Sequence, residues 1–112
     1  MKKVEAIFRN EKLGAVKEAL KSIGVAGVTV TEVRGHGKQK GITEVYRGRS
    51  YSVDLITKIK VEVIAEDKDV KKITDTIVDA ARTGSIGDGK IFVSGVEDII
   101  RIRTGESGDK AI

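Results

Sequence analysis

The chain has 112 residues, the length of one small domain, and its 21 Lys+Arg against 17 Asp+Glu leave a net charge of +4, too small by itself to specify nucleic acid as a partner. It has no cysteine and one histidine, His36, which excludes disulfide frameworks, thiol nucleophiles and cysteine-held zinc or iron–sulfur sites, and with them a histidine-rich metal centre in a single copy. No apolar run approaches the ~18 residues that cross a membrane as a helix and no secretory leader pattern is visible, so a cytoplasmic protein is expected.

Val4, Ala6 and Phe8 alternate with Glu5 and Ile7, the pattern of a half-buried strand. Asn10 can cap a following helix that carries Leu13, Val16, Leu20 and Ile23 on one stripe, with Gly24 and Gly27 at its end. The β-branched run Val28-Thr29-Val30-Thr31 reads as a second strand. Alternation returns at Ile59, Val61, Val63 and Ala65. A second helix follows, with Asp67 or Asp69 as its cap, a stripe of Val70, Ile73, Ile77, Val78 and Ala81, and Gly84 placed to stop it. Ile91-Phe92-Val93 and Ile99-Ile100-Arg101-Ile102 read as short final strands.

Two βαβ halves in one chain point to an α+β fold, a ferredoxin-like βαββαβ sandwich with a short extra C-terminal strand. Residues 1–112 form a single domain with a long loop at about 36–54, a glycine loop at about 83–90 and a C-terminal strand and tail at about 98–112. Both helices cover one face of the sheet, so Val, Ile and Thr side chains are expected to lie open on the other and to drive oligomerisation.

The insertion GHGKQKGITEVYRGRSYSV, residues 35–53, exceeds the ~12–15 residues usual for an unstructured connection, and reads as a binding loop or as the solvated tip of a hairpin. From Gly84 to Lys90 the sequence TGSIGDGKIFV satisfies the GxxxxGK of a phosphate-binding P-loop. Ile91 then stands where a magnesium-binding Ser or Thr is required, and strand rather than helix follows, so a P-loop NTPase is rejected. What survives is a loop whose Gly87 and Gly89 let backbone N–H groups converge on an anion beside Lys90, or simply a glycine-capped turn. Arg101 and Arg103, two apart on a strand, would project to one side as a pair of phosphate-binding forks or as a solvent-facing alternation. Lys58 is a candidate for a carboxylate or phosphate, and Gln39 for a hard cation already holding phosphates. His36 reads as a loop-stem residue. No carboxylate pair or Ser–His arrangement stands out, so catalysis is not indicated.

Four segments, TVTEVRGHGKQKG at 29–41, EVYRGRSYSVDL at 44–55, TGSIGDGKIFV at 83–93 and IRIRTGE at 100–106, together resemble the PII signal-transduction proteins of the GlnB/GlnK type, with the GlnK-like branch favoured. The resemblance implies a homotrimer with three ATP or ADP sites between neighbouring subunits, and 2-oxoglutarate bound beside Mg-ATP. It places Ile7, Thr29, Glu62 and Ile64 on the adenine side, and Gly37, Lys38, Gly87, Asp88, Gly89, Lys90, Arg101 and Arg103 on the phosphates, with Ile102 in the same nucleotide set. Gln39 would complete the magnesium shell, and 2-oxoglutarate would meet Gln39, Lys40, Gly41 and Lys58. Arg47 would contact a partner, an ammonium transporter or nitrogen-assimilation enzymes, and Tyr51 would be a modification target. The protein would then be cytoplasmic and recruited to the inner face of the membrane when bound to a transporter. Lys38 stands where the family usually has Arg, which exchanges a planar fork for a point charge.

Two other functions are to be weighed. A ferredoxin-like sheet can bind RNA, which calls for two or three aromatics on its surface, and Phe8 and Phe92 are the available phenylalanines. An ATPase would need a positioned base and the missing P-loop hydroxyl.

Overall fold

The computed structural model describes residues 1–35, 42–46, 49–53 and 55–112, the two short segments through their backbone. In chain order the elements are β1 (Lys2–Arg9), α1 (Leu13–Ser22), β2 (Thr29–Gly35), β3 (Ile42–Tyr46), β4 (Arg49–Val53), β5 (Ile56–Ala65), α2 (Val70–Ala81) and β6 (Gly89–Gly95). Strands β2-β5-β1-β6 form a fully antiparallel sheet. Each βαβ half leaves a gap one strand wide, and the first strand of the other half fills it. This interlock is the ferredoxin-like sandwich expected from the periodicity.

The alternation in β1 and β5 decides which face is dry. Val4, Ala6 and Phe8 lie opposite Val63, Val61 and Ile59 in register, and all six are buried. Val16 and Leu20 of α1 and Ile73, Ile77 and Ala81 of α2 close over them to complete one core. Burial of a side chain such as Phe8 or Leu20 is worth about 1.5–3 kcal/mol, so the two central strands and the two helical stripes hold the sandwich together.

The helix starts differ from expectation. A 3₁₀ turn, Asn10–Lys12, precedes α1, and the N–H of Leu13 is satisfied by the Asn10 carbonyl; the Asn10 side chain makes no capping bond. A second 3₁₀ turn, Asp67–Asp69, precedes α2 in the same way, with the Val70 N–H on the Asp67 carbonyl. Asp69 stands at the N-cap position of α2 without a side-chain hydrogen bond, and the Asp67 carboxylate instead accepts from the Met1 amino group at 2.9 Å. Tight i→i+3 backbone bonds have replaced side-chain caps. Helix α2 ends at Ala81 because Arg82 turns extended, two residues before Gly84.

The uncovered face adds charge to what was expected of it. Its centre carries Lys3 and Glu5 of β1 and Lys60 and Glu62 of β5, with Lys3 3.7 Å from Glu5 and 3.6 Å from Glu62, and Lys60 3.7 Å from Glu62. Ile7 of β1, Ile64 of β5 and Thr29, Thr31 and Val33 of β2 share this face by register, so it is a mixed surface with an ion-pair lattice at its centre and not a uniformly apolar one. Apolar exposure concentrates at the sheet edges, where Val30 of β2 and Phe92 and Val93 of β6 are exposed.

The C-terminal run 99–102 forms no continuous strand. It makes one bridge, Ile100 with Ser107, and then reverses, the Arg101 N–H donating to the Glu106 carbonyl at 2.8 Å. The same-side projection expected of Arg101 and Arg103 on a strand is therefore lost. In the long insertion, β3 and β4 pair with each other from Ile42 with Val53 to Tyr46 with Arg49, as a ribbon separate from the four-stranded sheet. No helix among the described residues is long and apolar enough to cross a membrane.

Leu20→Ala should lower the unfolding free energy by about 2–5 kcal/mol, read as a lower urea midpoint at unchanged slope.

Candidate functional site

The register brings three elements together at one end of the sheet. Arg9 at the end of β1 lies opposite Lys58 of β5, while on the other side Phe8 and Ile7 lie opposite Gly89 and Lys90 of β6. The turn from α2 into β6 thus folds back over the end of β1. Gly89 is a steric necessity there: its φ is +104°, and a Cβ on it would fall 1.7 Å from the Ile7 carbonyl oxygen. Gly84, at φ +89°, and Gly87, at φ +103°, supply the other left-handed residues of the turn.

Asp88 organises this turn from within. Its carboxylate accepts from the Thr83 hydroxyl, from the Thr83 and Gly84 N–H groups at 2.8 Å each, and from Arg9 Nε at 3.1 Å. These bonds, the Thr83 hydroxyl first among them, hold its pKa well below the usual carboxylate range. The Arg9 guanidinium at 3.1 Å offsets part of the negative charge that an anion outside the turn would meet. Arg9 Nη2 also donates to the Ile86 carbonyl at 2.7 Å, and Lys58 Nζ donates to the Gly87 carbonyl at 2.6 Å. Burial and then the neighbouring Arg9 lower the Lys58 pKa, partly offset by Glu11 and Asp88. Lys90 is exposed at the mouth of the turn. The first group of expected residues, Ile7, Lys58, Gly87, Asp88, Gly89 and Lys90, is therefore brought together by the fold.

A second group gathers elsewhere. Thr29 pairs with Glu62 across β2 and β5, and both line with Ile64 a groove of about 780 Å³ whose far wall is the tail, through Ile99 and Ile112. On that tail, Arg101 lies 3.6 Å from Glu106 and donates to the Lys110 carbonyl at 3.2 Å. Ile102 is fully exposed and Arg103 is exposed. Gly37, Lys38, Gln39, Lys40, Gly41 and Arg47 lie outside the described residues; Tyr51 sits on β4, across from Glu44, by its backbone. Phe8 is only 2% exposed, so of the two phenylalanines only Phe92, opposite Glu5, stands on the uncovered face. Among the described residues no group of three His, Cys, Asp or Glu could hold a metal ion.

Arg9 and Thr83 were not singled out from the sequence. A threonine five residues before an aspartate in a glycine-rich turn is a signal for such a side-chain-to-backbone clasp. Arg9 gave no signal, because its partners are 77 and 79 residues away.

The family model described as "Nitrogen regulatory protein P-II" matches residues 1–106. The chain belongs to the P-II family. A "Nitrogen regulatory protein P-II 2" of Methanothermobacter thermautotrophicus is 59% identical over 112 residues, covering 100% of this chain and 97% of the relative. The "Nitrogen regulatory protein P-II" of Rhizobium meliloti is 57% identical, with 100% of both chains covered. The crystal structure of Arabidopsis thaliana PII bound to citrate superposes with a TM-score of 0.81 at 44% identity, over 99% of this chain and 91% of that one. The family expected from TGSIGDGKIFV and EVYRGRSYSVDL is borne out, as is the P-II fold, and these relatives are named as regulatory proteins rather than as enzymes.

Two outcomes are expected at this end of the P-II sheet. Gly89→Ala should destabilise by more than the ~1–3 kcal/mol of a left-handed backbone alone, since β1 must also give way; thermal unfolding measures it. Because the folded-state pKa of Asp88 is depressed, its contribution to stability is complete above the unfolded-chain value of about 3.9 and is lost as the pH falls through the lower folded value. The stability gap between wild type and Asp88→Asn should therefore hold constant from pH 7 to 5 and close below about pH 4 in urea titrations.

Proposed function

We propose that this P-II chain is a non-catalytic sensor that binds ATP or ADP between neighbouring copies of a homotrimer and takes 2-oxoglutarate beside Mg-ATP. Through the loop at 36–54 it would control an ammonium transporter or nitrogen-assimilation enzymes, from the cytoplasm and at the inner face of the membrane when a transporter is bound. One observation carries the reading. The expected ligand residues fall in two groups on one copy, glycine amides with Lys90 at one end and Thr29, Glu62 and Ile64 with the arginine-bearing tail at the other. Along β5, six residues or about 20 Å of strand separate Lys58 from Ile64. A head-to-tail contact in which the tail of one copy meets the turn of the next would assemble both halves, and such a contact closes into a ring.

The donor set suits the ligands. Glycine N–H groups, an exposed ammonium and guanidinium forks are partners for phosphate oxygens, and Asp88 is already satisfied internally. Magnesium, when bound, would offset the charge of the phosphates. The described residues offer it no cluster of their own, so it would arrive with the nucleotide and meet Gln39. Lys58, whose pKa burial and Arg9 push down, gains from an anionic neighbour, which favours a dicarboxylate beside it. The citrate of the Arabidopsis relative supports a carboxylate ligand. Nucleotide and dicarboxylate would act on the loop at 36–54 only by their differential affinity for its conformers, and a partner that fits one conformer reads the balance. The RNA-binding reading loses support, since with Phe8 in the core the described sheet surface offers Phe92 alone for base stacking.

Titration calorimetry with ATP, then with 2-oxoglutarate in the presence of Mg-ATP, tests the proposal. ATP should bind, the second ligand should bind only once Mg-ATP is present, and Lys90→Ala and Arg103→Ala should each weaken ATP by about tenfold or more. Mixed trimers of those two variants should regain part of the wild-type sites, since each interface then has a chance of holding both intact halves. No ATP binding at millimolar concentration, or a monomer by light scattering, overturns it.

A further inference from the structure

The turn at 83–88 is fastened by two cations acting on consecutive carbonyls. Arg9 Nη2 donates to the Ile86 carbonyl at 2.7 Å and Lys58 Nζ donates to the Gly87 carbonyl at 2.6 Å. Peptide planarity gives these contacts a consequence beyond stability. In a trans peptide the C=O and the following N–H point in opposite directions, and no cis peptide occurs here. When the Ile86 carbonyl is drawn toward the end of β1, the Gly87 N–H is turned away from it. When the Gly87 carbonyl is drawn toward Lys58, the Asp88 N–H is turned away likewise. Two successive N–H groups aimed the same way form a small anion-binding concavity.

The arrangement costs energy, which argues that it does more than hold a turn. Arg9 and Lys58 are register partners on adjacent strands, two positive groups side by side, and Arg9 is among the causes that lower the Lys58 pKa. The Arg9 side chain is only 17% exposed and that of Asp88 23%. Arg9 holds two points of the turn at once, Asp88 through Nε and Ile86 through Nη2, a reach and planarity that lysine lacks. The Asp88 carboxylate, thus fixed, gathers the N–H groups of Thr83 and Gly84 inward. Inward-facing carbonyls and carboxylate at Arg9 are the reverse side of outward-facing amides at 87 and 88.

We infer that Arg9 is a positioning residue: it aims the Gly87 and Asp88 amides at the phosphate group of the nucleotide without touching that group itself. The inference rests on the nucleotide reading above for its ligand, but the hold of Arg9 on the turn can be measured without one.

The test uses the intact oligomer as wild type, Arg9→Gln and Arg9→Lys, with Mg-ATP calorimetry, amide hydrogen exchange at Thr83 and Gly84, whose N–H groups the Asp88 carboxylate holds, and NMR titration of the Asp88 carboxyl. Arg9→Gln should weaken Mg-ATP about tenfold, speed exchange at Thr83 and Gly84 more than in the core strands, and raise the Asp88 titration toward the ordinary carboxylate range. Arg9→Lys, which keeps the charge and one donor group, should recover part of each effect and keeps the test alive if Arg9→Gln fails to fold. Wild-type exchange at Thr83 and Gly84 together with wild-type ATP affinity in a folded Arg9→Gln protein overturns the inference, as does a uniform loss of protection across the whole sheet. If wild-type protein binds no ATP, the nucleotide reading falls, and the exchange and titration still decide whether Arg9 sets the turn.

Discussion

Gly89 and the Ile7 carbonyl approach so closely that no side chain fits between them, and much of the molecule follows from that contact. It lets β6 begin directly against the end of β1 and join the sheet as its edge strand. It also folds the preceding turn over the strand end, where Arg9 and Lys58 wait in adjacent strands. The turn itself has few apolar contacts to hold it. Its shape is kept by polar groups that would each be costly to leave unsatisfied when partly buried, and Asp88 answers four of them with one carboxylate. A turn so determined presents its amides in a fixed arrangement, which a flexible glycine loop could do only at an entropic cost on binding.

The uncovered face of the sheet shows a different division of labour. Ion pairs among Lys3, Glu5, Lys60 and Glu62 are half-exposed and contribute modestly to stability, so their effect is rather to keep the centre of the sheet from collapsing onto any apolar surface. Apolar side chains are left at the two edges, on β2 and β6, and on the tail at Ile100 and Ile102. The groove beside Thr29, Glu62 and Ile64 lies next to that tail.

Much of the fold was legible in the sequence. Alternation at 4–8 and 59–65 and the two helical stripes fixed the core, because burial of one face leaves a single register for each strand. The 3₁₀ turns that displace Asn10 and Asp67 from capping were not legible, since a backbone carbonyl and a side-chain oxygen compete for the same N–H group with little difference in energy. The C-terminal run read as a strand because Ile99, Ile100 and Ile102 are β-branched, yet it has no neighbouring strand with which to pair beyond one bridge.

By itself the sequence determined the family, the order of the βαβ elements and which positions are apolar, all properties carried by local pattern and by motif spacing. Only the tertiary structure decided that an ion-pair lattice occupies the centre of the uncovered face, that Asp88 turns inward and that the residues expected to meet ligands divide into two groups. The physical reason is sequence distance. Arg9 meets Ile86 and Asp88 across nearly the whole chain, and such an encounter is set by strand register, which no local window of residues contains.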